Sequence, residues 1–339
     1  MKEKKNPELQ CRMGKVGGEA VLEGVMMRCG DKIALSVRGE DGSISVKESE
    51  FVSIRKKHKF FNTPIIRGVV SFIESMKMSF GCLNDSAEML GIDEELEETK
   101  FEKWLREKFG KGTLDVVMAI GVVLGLGIGV GLFALLPTYL ANLLADAFPS
   151  LEHNWFISVF SGIFRIAIFV SYICLVSLMK DIRRTFEYHG AEHKSIACYE
   201  SGLELTPENA ATCSRFHPRC GTSFIFVILI LSILIYTIIP HDWAWYVQSL
   251  VKICMLPIVM GLSFEYLIYA GKHSNAMTKF LSAPGLWMQR ITTREPDLSQ
   301  LEIAITSIKL SMPEEFPDFD PTTYSRPVEK ADDTSKEEA

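Results

Sequence analysis

LDVVMAIGVVLGLGIGVGLFALLPTYLANLLA, residues 114–145, carries a single charge, Asp115 at its start. A helix needs about 20 such residues to cross a bilayer, so this stretch predicts a transmembrane span and decides the class. Three further apolar runs follow: 155–179 with Arg165 inside it, 223–240 with no charge, and 247–270 with Lys252 and Glu265. The expectation is a mainly α, polytopic membrane protein built on a four-helix bundle. The basic flanks give its orientation. Lys103, Arg106, Lys108 and Lys111 precede the first span, Lys180, Arg183 and Arg184 follow the second, and Lys272 and Lys279 follow the fourth. The connections DAFPSLEHN (146–154) and HDWAWY (241–246) contain no Lys or Arg. Both termini and the 180–222 connection are therefore expected on the cytoplasmic side of the inner membrane. The opening MKEKKNPELQ is polar and is not a secretory signal.

Across 339 residues, 47% are hydrophobic and 23% charged, which excludes disordered, collagen-like and nucleic-acid-wrapping classes. The 36 basic and 42 acidic side chains are unevenly placed: residues 311–339 hold 3 and 9 of them, leaving a neutral body. That Pro-rich acidic tail is expected to be disordered. Of eight cysteines, Cys174 and Cys254 lie inside spans and the others on the expected cytoplasmic side, so reduced thiols and not disulfides are predicted.

Outside the spans the chain divides further. Residues 1–60 read as a small β-rich unit: AVLEGVMMR, KIALSVRG and SISVKESEFV are strand-prone, the last two joined by an Asp41-Gly42 turn. In 61–111, Ile66, Val69, Val70, Ile73, Met76, Phe80 and Leu83 recur at helical spacing after Pro64, predicting an amphipathic helix on the inner leaflet or on the bundle, or else a core-facing helix of the small domain. A charged helical approach follows at 91–111. The transmembrane domain occupies 112–275, and 276–310 should form a loop and a helix with Leu298, Leu301, Ile305 and Ile308 on one face.

The chemistry concentrates after the second span, in Glu187-Tyr188-His189-Gly190-Ala191-Glu192-His193-Lys194. Four residues apart on a helix, His189 and His193 sit about 40° from facing the same way, with Glu192 about 60° to one side. This is the H-x-x-E-H order in which two imidazoles hold zinc and the carboxylate activates water. Cys213, His217 and Cys220, in CSRFHPRCGTS (213–223), offer further ligands on the same membrane face. The expected centre binds Zn2+ or a similar divalent ion through His189, His193, His217 and Cys220, with Cys213 and Glu187 as reserves. Glu192 is the candidate general base and Arg219, or Arg215, a stabiliser of negative charge. Cys220 also reads as a nucleophile, since it precedes a helix and adjoins Arg219. An Arg165–Glu265 pair is expected within the bundle. Glu265 and His273 are alternatively placed to face the inner-surface site, and Lys252 is expected to snorkel. Gly121, Gly125 and Gly129 in the first span suit close helix packing, within the bundle or with a second copy.

GGEAVLEGVMMR (17–28), EYHGAEHKSIACYESG (187–202), RFHPRCGTSF (215–224) and PGLWMQRITTREPDLSQLEIAI (284–305) resemble the YqhQ-type family of bacterial inner-membrane proteins. The resemblance runs from about Gly17 to Leu310. It implies an uncharacterised membrane protein, sometimes labelled metal-dependent, and lends no substrate. Three functions follow as expectations: a metal-dependent hydrolase, a non-enzymatic membrane interaction or quality-control factor clamped by a structural Cys/His metal, and a small transporter using Arg165 and Glu265. The bilayer, a membrane partner or a second copy are the expected partners, and nucleic acid is not.

Overall fold

A computed structural model describes residues 11–92, 113–148, 153–240, 242–272 and 275–325. Four strands, β1 Val16–Val21, β2 Gly24–Cys29, β3 Lys32–Arg38 and β4 Ile44–Glu50, pair consecutively as an antiparallel meander. The stretch AVLEGVMMR, expected as one strand run, is folded into a hairpin. Its turn places Glu23 at a positive φ of 47°, and Gly24 lies so close to β3 that an added Cβ would stand 2.4 Å from the Ser36 carbonyl oxygen.

The helices are α1 Ile54–Lys57, α2 Ile66–Met89, α3 Thr113–Val130, α4 Leu136–Ala147, α5 Asn154–Val176, α6 Lys180–Glu200, α7 Pro207–Thr212, α8 Gly221–Tyr236, α9 Trp245–Lys272, α10 Ala276–Thr292 and α11 Leu298–Ser311. A 3-10 turn, Lys59–Asn62, precedes α2, and a π turn, Gly131–Leu135, joins α3 to α4. The 180–222 connection is thus largely helical.

Alternation along the strands puts different side chains on the two sheet faces. Val16, Val25 and Met27 pack against α6 and α11, whereas Val21, Met26, Ile33, Leu35 and Val37 pack with Cys82 of α2. Helix α11 is buried nearly all round: Ile303 and Ala304 are as enclosed as Leu301, Ile305 and Ile308, while Leu298 is exposed. The single apolar face expected for it is therefore too narrow, because sheet, α6 and α7 surround it. Arg38 of β3 and Glu302 of α11 form a pair 2.8 Å apart, each side chain about one-tenth exposed, and this fixes sheet to helix.

The C-terminal segment departs from expectation. Residues 312–325 pack on this core: Met312, Phe316 and Tyr324 join its apolar cluster, Arg38 donates to the Tyr324 carbonyl at 3.3 Å, and the Ile44 N–H donates to Ser325 Oγ at 3.2 Å. The aromatic residues among the acids anchor it, and the remainder of the expected disordered tail, 326–339, lies outside the described residues. Burial opposes ionisation of Glu315, yet Lys15 and the Tyr199 hydroxyl outweigh it and hold the carboxyl below its ordinary range. A lowered carboxyl contributes stability above the unfolded value of about 4.3 and loses it as pH falls through the folded one. Thermal unfolding should therefore soften in that acid range, and Glu315→Gln should show the smaller acid-dependent drop.

Three helices are long and apolar enough to cross a membrane: Ile120–Ala147, Trp155–Val176 and Trp245–Ala270. The fourth apolar helix, Gly221–Tyr236, has 16 residues and spans about 24 Å. Within the bundle the Arg165–Glu265 pair does not form. Pro137 has no N–H to offer the carbonyl four residues back, Phe133, and the Arg165 Nε donates to that carbonyl at 2.9 Å. Its Nη1 reaches Ser232 Oγ at 3.1 Å. Glu265 instead meets Arg67 of α2, whose Nε donates at 2.7 Å. Helix α2 can approach there because Gly68 and Gly261 remove side chains where α2 crosses α9. Lys252 does not snorkel; it is 3% exposed and bonded inside the bundle. A Cβ added at Gly121, Gly125 or Gly129 would meet nothing within 4 Å. No close contact within the described chain uses that glycine face.

Candidate metal centre

The centre is assembled from α6, the loop leading into α8 and the end of α10. Helix α6 starts at Lys180 just beyond α5 and turns its buried face, Tyr188, Ala191, Glu192, His193 and Ser195, into the domain. Gly190 in its middle, which by propensity weakens a helix, is required by a crossing chain. A Cβ there would stand 1.9 Å from the Arg294 carbonyl oxygen, and the Arg294 N–H donates to the Phe186 carbonyl at 2.8 Å. The segment after α10 is thereby laid across α6.

The last residue of α10 orients the first imidazole. His189 Nδ1 lies 2.8 Å from the Thr292 carbonyl oxygen, and His193 Nδ1 lies 2.6 Å from that of Arg215. A ring whose Nδ1–H donates to a carbonyl keeps Nε2 free as a ligand, the usual outer support of metal-binding histidines. Cys220, immediately before α8, places Sγ 3.3 Å from His189 Nε2. The ligand atoms of His189, His193 and Cys220 all lie within 4.8 Å of one another, and the two imidazole centroids are 4.5 Å apart. Tetrahedral zinc, with bonds of about 2.0–2.3 Å, sets ligand atoms about 3.3–3.8 Å apart. Two free imidazole nitrogens and a thiol at this separation fit a transition ion after a small contraction.

Glu192 borders the group, with Oε2 3.9 Å from His189 Nε2 and the side chain only 7% exposed. Burial raises the Glu192 carboxyl above its ordinary range, against the opposing pull of His189 and His217. Burial lowers His193 below the usual imidazole range and so favours the neutral form that a metal needs. His217 is brought near, its ring 5.6 Å from His193, but its Nε2 turns to Glu200 at 3.7 Å and to Arg219 at 3.3 Å. Arg219 is itself ion-paired with Glu200. Although burial works against it, the nearby His217 ring and the Gly14 N–H, which donates at 2.8 Å, with Arg219 beside it, hold Glu200 below the ordinary carboxylate range.

The other sequence candidates lie elsewhere. Cys213 is turned to the Asn209 carbonyl at 3.5 Å and stands beside Cys198, whose thiol burial pushes up to about 12. Glu187 accepts from Gln300 Nε2 at 3.2 Å, facing α11. Arg165 and Glu265 are in the bundle as described, and His273 lies outside the described residues. Arg215 donates to the Thr293 carbonyl at 3.1 Å.

Three contributors were missed by sequence reasoning. Gln289 of α10 clamps the loop by accepting the His217 N–H and donating to the His217 carbonyl, both at 2.8 Å. Thr292 supplies the carbonyl for His189. Glu19 of β1, bonded to Ser79 of α2, is raised chiefly by burial and lies within electrostatic range of His189 and Glu192. A lone acid in the glycine-rich GGEAVL and a Gln in LWMQR were the available signals.

Residues 63–314 match the family described as a protein of unknown function, DUF1385. The chain is 35% identical over 298 residues to the uncharacterized protein YqhQ of Bacillus subtilis (strain 168), covering 86% of this chain and 90% of that one. No solved structure matches.

Proposed function

We propose, from the premise that this chain belongs to the DUF1385 family together with YqhQ, that it is a membrane-inserted metalloenzyme performing hydrolysis at the inner membrane surface. The observation that carries this reading is the His189, His193 and Cys220 group with Glu192 beside it. Four protein ligands would close a structural site, whereas three leave a coordination position open. Here three donors converge, His217 is engaged with Glu200 and Arg219, and the remaining neighbour is a carboxylate suited to proton transfer.

His189 and His193, oriented by the Thr292 and Arg215 carbonyls, and Cys220 as thiolate would hold the ion, zinc or a similar divalent metal. Such an ion supplies Lewis acidity and a more acidic water. Glu192 takes the proton of the attacking water and returns it to the leaving group. Burial raises its affinity for a proton, the direction that favours a proton acceptor over an inert carboxylate. Arg219, steadied by Glu200 at the rim, is a cation for developing negative charge.

The proposed setting is a four-span bundle with Gly221–Tyr236 as the short span and both termini cytoplasmic. It is supported by the three long apolar helices, by large apolar side chains such as Val122 and Leu126 that remain exposed on the first, and by the basic residues at one end of the spans. The bilayer covers those side chains, and the free glycine face of α3 is the place for a second copy or a membrane partner.

Glu192→Gln should retain metal at the wild-type ratio while lowering hydrolysis of a responsive ester, phosphoester or peptide substrate by about a hundredfold or more. Unchanged turnover in the metal-loaded variant would remove Glu192 from the mechanism.

A further inference from the structure

The bundle holds a second polar assembly, remote from the histidines. Ser232 lies 12 residues along α8 from Cys220, about 18 Å away. Around it stand two cations. Lys252, 3% exposed, donates from Nζ to Thr138 Oγ1 at 3.0 Å and to Ser161 Oγ at 3.4 Å. Its third N–H finds no acceptor among the described residues. Arg165 is bonded to the Phe133 carbonyl and Ser232 Oγ and lies over the Tyr236 ring at 5.4 Å. Tyr236 links the two, donating its hydroxyl to the Lys252 carbonyl at 2.9 Å.

No carboxylate among the described residues meets either cation. Glu265 is taken by Arg67, and Asp146 and Asp242, at the far end of the bundle, are exposed. The lining continues outward as a reciprocal amide pair, Asn142 with Gln248, to the end of α4 and the start of α9. Two buried basic side chains facing hydroxyls, with no acid beside them among the described residues, form a donor-rich cluster inside the bundle. Intramembrane ionisable groups are retained where they have a partner. Arg offers a planar fork and Lys a compact point charge, and together with Ser and Thr hydroxyls they match a tetrahedral oxyanion.

We propose that Lys252 and Arg165 form an intrabundle binding site for a phosphate-type oxyanion, distinct from the metal centre and independent of it. A phospholipid headgroup and free phosphate share this chemistry, and two arms separate them. Full-length protein in zwitterionic detergent is titrated with phosphatidylglycerol against phosphatidylcholine by native mass spectrometry, and with radiolabelled inorganic phosphate by equilibrium dialysis. Lys252→Gln keeps a hydrogen-bonding side chain and removes the charge; Lys252→Arg keeps the charge. The proposal expects one probe to bind the wild type, with affinity falling about thirtyfold or more in Lys252→Gln, surviving in Lys252→Arg, and metal content unchanged in both. Binding of phosphatidylglycerol alone identifies the headgroup, and binding of phosphate the free ion. Wild-type protein that takes up neither beyond the phosphatidylcholine level, or Lys252→Gln that binds as well as wild type, overturns it and makes Lys252 a neutral amine satisfied by two hydroxyls.

Discussion

Gly190→Ala should unfold the centre while leaving the helices in place. The added methyl would stand 1.9 Å from the Arg294 carbonyl oxygen, far inside contact distance, and the obstacle is backbone, which cannot rotate aside as a side chain does. Arg294 is held by the Phe186 carbonyl, and Thr292, two residues earlier, supplies the carbonyl that orients His189. Relieving the clash must lift the crossing segment off α6 and release that imidazole. Overpacking of this kind costs about 3 kcal/mol, and the loss is concentrated at the site. Thermal unfolding in detergent should shift several degrees downward, by about 2–4 °C per kcal/mol, and metal retention should fall with it. Alanine is otherwise the better helix former, so a stabilised Gly190→Ala would show that the crossing is not as close as described.

The second large effect concerns the donors themselves. His189→Ala/His193→Ala removes two of three converging ligands and should abolish stoichiometric metal, measured by elemental mass spectrometry on detergent-purified protein. Cys220→Ser exchanges a soft thiolate for a weakly acidic hydroxyl and should shed most of the ion, whereas His217→Ala, whose Nε2 faces Glu200 and Arg219, should retain it. The contrast between His217 and the other three separates this geometry from a closed Cys/His clamp, in which every member would be needed.

How much of this was readable beforehand depended on the range of the forces involved. The three long apolar helices were legible because a continuous apolar run is its own signature in the sequence. The pairing of His189 with His193 was legible because one helical turn fixes it. The hairpin within AVLEGVMMR was not, since its turn at Leu22-Glu23 carries no Asn-Gly or Asp-Gly marker and Glu23 itself takes the positive φ. The partner of Arg165 was hidden for a different reason: as the other charges inside apolar runs are few, Glu265 suggested itself, but the need was set by Pro137 and the carbonyl it orphans. Gln289 and Thr292 act across 72 and 103 residues, a separation that no local pattern reports. The 312–325 segment shows that net acidity alone misleads; Phe316 and Tyr324 outweigh it by packing on the core.

The central claim is a metal centre of two imidazoles and one thiolate. X-ray absorption at the edge of the metal retained by purified full-length protein tests it most directly. The predicted first shell has one sulfur at about 2.3 Å and two imidazole nitrogens at about 2.0–2.1 Å, completed by a light atom. A shell without sulfur, or protein that retains no stoichiometric metal, would contradict it.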